Sequence, residues 1–60
     1  MTSIIEIERV QLAKKSGGDK YEGTTDSGEV FTPYIPQSIS RKDGKKVVKF
    51  KVTLEAIEFD

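Results

Sequence analysis

Three stretches of the sequence predict an all-β fold: a small, strongly twisted antiparallel sheet, or a small barrel, of four to five strands. Val48 to Leu54 alternates strictly, with Val48, Phe50, Val52 and Leu54 apolar and Lys49, Lys51 and Thr53 polar between them. Period two with β-branched and aromatic residues on the apolar side is the pattern of a half-buried strand. Asp43-Gly44 stands between two extended runs, a strong two-residue hairpin signal. Near the start, Ile5 and Ile7 alternate with Glu6 and Glu8.

With 60 residues the chain makes one small β domain, spanning 1–60. A chain of this length buries only about 60% of its extended surface. Small domains usually add disulfides, a metal or a partner subunit. There is no Cys and no His, which excludes disulfides, thiolate zinc sites and imidazole ligands. Oligomerisation is the remaining device, so a homo-oligomer is expected. No apolar run approaches the ~18 residues of a membrane span, and no basic stretch followed by an apolar one marks a signal peptide. The expectation is a cytoplasmic protein without a membrane partner.

The first strand is expected near 3–13. Its apolar positions slip by one after Arg9, where Val10 and Leu12 take over; such a slip moves side chains to the other face. Ser16-Gly17-Gly18-Asp19 reads as a turn, and a phosphate-binding nest beside Lys14, Lys15 and Lys20 is the less favoured reading. A short strand near 20–24 carries Tyr21. Thr25-Asp26-Ser27-Gly28 is a second turn, with Gly28 suited to a left-handed position. The third strand, near 29–35, contains Pro33, which donates no ladder hydrogen bond and so belongs at an edge or a bulge. Pro36 suits the start of one helical turn or a kink.

The fourth and fifth strands are expected near 38–42 and 45–59, around the Asp43-Gly44 turn. Pairing outward sets Lys42 opposite Lys45, Arg41 opposite Lys46, Ser40 opposite Val47 and Ile39 opposite Val48. The inward face is then Ile39, Val48, Phe50 and Val52; the outward face is Lys42, Lys45, Lys49 and Lys51 beside Ser38 and Ser40. A second slip near Glu55-Ala56 brings Ile57 and Phe59 to the apolar side, as a bulge or bend would do. Two bent terminal strands suggest closure into a barrel of the SH3 or OB kind.

Ten basic and ten acidic residues give zero net charge, which opposes whole-molecule attraction to nucleic acid. The charge is nevertheless bipolar: Arg41, Lys42, Lys45, Lys46, Lys49 and Lys51 cluster against Asp43 alone, while Glu6, Glu8, Glu55, Glu58 and Asp60 lie towards the ends. Two function classes follow. In the first, Arg41, Lys42, Lys45, Lys49 and Lys51 contact the phosphates of single- or double-stranded nucleic acid, with Tyr34 (or Tyr21 or Phe31) stacking on bases. In the second, the chain is a protein-interaction or assembly module working through an exposed strand edge or the Tyr34-Ile35 tip. Such a module would be a regulator, inhibitor or structural accessory, and the order of elements is similar in style to that of short β proteins of phages and mobile elements. Catalysis is not expected: no nucleophile sits in an elbow and no spacing pairs two acids in a cleft. No cofactor and no metal are expected, since neither Asp26 nor Asp43 has the alternating oxygens of a calcium loop.

Overall fold

The computed structural model describes residues 2–60. Its first strand, β1 (Thr2–Gln11), is the centre of the molecule. On one side it pairs antiparallel with β2 (Gly18–Thr24), and on the other with the last strand, numbered β7 in chain order (Lys49–Glu55). β2 then pairs with β3 (Val30–Phe31) and β4 (Tyr34–Pro36). The result is a five-stranded antiparallel sheet that is not closed into a barrel. A helical turn, α1 (Gln37–Ser40), leads to a separate ribbon of β5 (Arg41–Lys42) and β6 (Lys45–Lys46).

Alternation decides which side of the sheet is packed. Ile5, Ile7, Tyr21, Phe31, Ile35, Phe50 and Val52 share the inner face; Ile5, Ile7 and Tyr21 are buried and the others pack half-buried against them. Tyr21 meets Phe50 edge to face, with ring centroids 5.1 Å apart. Fully burying Ile5 and Ile7 contributes about 1.5–3 kcal/mol each, and the half-buried side chains contribute less. Gly23 belongs to the same face because Ile5 and Ile7 lie over it.

The slip after Arg9 is a β-bulge. Arg9 faces Tyr21 while Gln11 faces Lys20, leaving Val10 as the extra residue. Pro33 lies on an edge strand, as expected, and without a bulge. Gly23 opposite Phe31 and Lys20 opposite Tyr34 belong to one unbroken register, so β3 and β4 are one strand interrupted at its proline. Tyr21 N–H donates to the Pro33 carbonyl at 2.9 Å, and Pro33 has no N–H to return.

Several expected elements are corrected. Residues 38–40 are helical rather than extended, with Pro36 standing just before the turn. The run expected at 45–59 is split, because the chain changes partners within it. Val47 N–H still donates to Ser40 carbonyl on the ribbon side, whereas Val48 carbonyl already accepts from Arg9 N–H of β1. β7 ends at Glu55, so the slip at Glu55-Ala56 is where the strand stops rather than a bulge. Ile57 and Phe59 are 89% and 77% exposed. Ile39 and Val48, expected inside, are exposed as well. The Lys42–Lys45 and Arg41–Lys46 pairs stand as expected. Their turn has φ of 53° at Asp43 and 77° at Gly44, the left-handed pair that an Asp-Gly hairpin requires.

The packing is incomplete for a chain of this size. Its accessible surface is 5025 Å², against about 3,900 Å² for a folded monomer of its mass. Its radius of gyration is 12.9 Å, against about 10.4 Å for a compact domain of this length.

Candidate functional site

A polar staple fixes the ribbon to the sheet. Asp19 of β2 is fully buried, on the face that also carries Tyr21. Its Oδ1 accepts from Arg41 Nη2 and from the Ala13 amide, both at 2.8 Å, and its Oδ2 accepts from Ser40 Oγ at 2.6 Å and Arg41 Nε at 3.1 Å. Arg41 Nη2 also donates to the Ala13 carbonyl at 3.3 Å. The Arg41 bonds first, then the Ser40 hydroxyl and the Ala13 amide, hold the Asp19 carboxyl well below the usual carboxylate range, against the opposing effect of desolvation. Above this staple, Tyr21 Oη donates to the Val47 carbonyl at 2.5 Å. Burial, then the Asp19 charge, raises the Tyr21 pKa.

These contacts redistribute the expected basic site. Arg41 is held by Asp19 in the one ion pair within 4.0 Å among the described residues. Ser40, expected on the outward face, is fully buried, and Tyr21, one of the aromatics offered for stacking, is too. Lys42 and Lys45 face each other on the ribbon, while Lys49 and Lys51 belong to the outer face of the main sheet. There Lys49 stands opposite Glu8 and Lys51 opposite Glu6. The two β1 acids therefore balance the two β7 lysines locally, without closing to an ion pair within 4.0 Å. In the sequence these charges are about forty residues apart, and only the β1–β7 register brings them together.

Tyr34 has a different setting. It is 64% exposed and sits opposite Lys20 across the β2–β4 pair. It borders two open clefts that are both lined by Ser16-Gly17-Gly18. One, of about 360 Å³, is lined also by Lys14 and Lys20; the other, of about 540 Å³, by Lys15, Gln37 and Ser38. Gln37 Nε2 donates to the Lys15 and Gly17 carbonyls at 3.2 and 2.9 Å, tying this loop to α1.

The two sheet edges are unlike. The β3–β4 edge is interrupted at Pro33 and ends in Pro36. The β7 edge runs seven residues without a break and has no strand partner among the described residues. The Arg9 N–H bond to Val48 carbonyl, 2.8 Å, sets the phase of its backbone. In an antiparallel ladder, alternate residues turn their N–H and C=O to opposite sides. Val48, Phe50, Val52 and Leu54 therefore address β1, and Lys49, Lys51, Thr53 and Glu55 address the open edge. On the inner face, Phe50, Val52 and the exposed Leu54 run alongside it.

No helix among the described residues is long and apolar enough to cross a membrane. No protein-family model matches the chain, and no curated protein or solved structure matches it.

Proposed function

We propose that the protein is a small non-enzymatic interaction or assembly module that acts through the open edge of β7. The observation that carries this reading is the unbroken seven-residue edge, with four residues presenting unpaired backbone groups beside an incompletely covered apolar face. An extended segment added there gains ladder hydrogen bonds and covers Phe50, Val52 and Leu54, the mode of recognition known as β-augmentation. The opposite edge, broken by Pro33, is a poor template.

One observation favours a second reading, nucleic-acid binding: an exposed aromatic, Tyr34, lies opposite Lys20 at the rim of clefts that Lys14 and Lys15 also line. Stacking plus phosphate contact is the usual chemistry of single-strand binders. The locally balanced Lys49 and Lys51 and the engaged Arg41 support the first reading over this one.

Shift mapping with two probes separates the readings. The edge reading expects an extended peptide of alternating apolar and charged residues to perturb amides 49–55, and expects Thr53→Pro to abolish the effect. The Thr53 N–H points away from β1, so the substitution spares the β1–β7 ladder. An oligonucleotide should leave the spectrum unchanged at physiological salt. Oligonucleotide binding centred on Lys20 and Tyr34, falling with a log–log salt slope of roughly −2 to −3, would instead establish the second reading.

A further inference from the structure

We infer that the segment occupying the β7 edge is β7 of a second copy, in an antiparallel register with its two-fold axis at Val52. This rests on the edge reading above and specifies its partner.

The sequence of β7, Lys-Phe-Lys-Val-Thr-Leu-Glu, is complementary to itself when reversed about its middle residue. With Val52 opposite Val52 of the second copy, Phe50 meets Leu54 and Lys49 meets Glu55. Apolar residues thus meet only apolar residues on the inner face, and each terminal lysine meets a carboxylate on the outer face. Backbone phase agrees, as it does for any axis that passes through a residue. Lys49, Lys51, Thr53 and Glu55 address the open edge, and this register places them opposite Glu55, Thr53, Lys51 and Lys49, so outward groups meet outward groups. Val52–Val52 and Phe50–Leu54 then fall at non-hydrogen-bonded positions, where side chains approach most closely.

Other registers lose part of this match. An axis at Lys51 sets Lys51 against its own copy, a destabilising like-charge pair. An axis at Thr53 keeps two Lys51–Glu55 pairs per dimer but sets Lys49 and Phe50 against Ile57 and Ala56, beyond the end of β7, so that only residues 51–55 pair strand to strand. The Val52 axis is the register that pairs the whole of β7 and sets no two lysines opposite each other.

The test is sedimentation of the intact chain across the micromolar range with a complementary charge exchange. The wild type should dimerise. Lys49→Glu and Glu55→Lys should each weaken dimerisation about tenfold or more, since two attractive pairs per dimer become repulsive. Mixed in equal amounts, the two variants should recover dimerisation, because every 49–55 pair is again opposite in charge. Thr53→Pro should remain monomeric. Circular dichroism of each variant checks the fold, and the mixture separates lost pairing from lost folding. A wild type monomeric throughout, single variants that dimerise like wild type, or a mixture without recovery would overturn the proposal. If the wild type is monomeric but an alternating peptide still binds amides 49–55 in a Thr53→Pro-sensitive way, self-pairing fails while the edge reading stands.

Discussion

Asp19 and Arg41 are joined by two hydrogen bonds, Nη2 to Oδ1 at 2.8 Å and Nε to Oδ2 at 3.1 Å, across 22 residues of sequence. The pair links β2 to the start of the ribbon, and Ser40 and Ala13 complete the shell around the carboxylate. No buried side-chain nitrogen or oxygen lacks a partner among the described residues. A buried ion pair need not add much net stability, but leaving one charge alone is costly. Its structural effect is to fix where the ribbon sits.

Stability should therefore depend on acid through Asp19. The folded-state pKa lies below the unfolded value, so this contribution is complete above the unfolded carboxylate pKa of about 4. It is lost progressively as pH falls below that value towards the folded one. Urea midpoints between neutral and strongly acidic pH should fall for the wild type, and less steeply for Asp19→Asn, which should already be the weaker protein at neutral pH. Parallel profiles for the two proteins would show that Asp19 does not carry the acid dependence.

Tyr21→Phe should remove the bond to the Val47 carbonyl while keeping the ring against Phe50. A loss of about 1–2 kcal/mol is expected, or a fall of roughly 4–8 °C in Tm per kcal/mol. The variant should also lose part of the alkaline instability. Because the folded Tyr21 pKa is raised, the wild type is destabilised as pH climbs past the unfolded tyrosine value of about 10. Thermal melts at neutral and alkaline pH measure both effects.

Gly23→Ala should cost more than its size suggests. A Cβ there would collide with the Glu6 carbonyl and lie 2.8 Å from Ile7 Cγ2. Moving β2 away from β1 would disturb the packed centre, with an expected loss of about 1–3 kcal/mol. A denaturant midpoint equal to wild type would contradict the close β1–β2 approach.

What was legible in the sequence was local. The alternation in β7, the Asp43-Gly44 hairpin with its lysine pairs, and the shift after Arg9 each express neighbouring residues choosing a face or a turn. The long-range terms were not legible. Asp19 reads as a turn residue, yet it shares the inner face with Tyr21 two positions on, where an acid requires a partner; that phase was the available signal. Arg41 looks like one more member of a basic cluster until Asp19 is brought to it. Lys49 and Lys51 look like an unbalanced stripe until β1 supplies Glu8 and Glu6. Ile57 and Phe59 continue an apolar pattern, but the strand that would use them ends at Glu55.

Amide hydrogen exchange along β7 tests the central claim most directly, that its open edge is the functional surface. Phe50 and Val52 amides address β1 and should be protected at every concentration. Lys51 and Thr53 amides address the open edge. They should exchange quickly in dilute protein and become protected as the concentration rises or when an extended peptide is added. Fast exchange at Lys51 and Thr53 under all these conditions, with Phe50 and Val52 still protected, would contradict it.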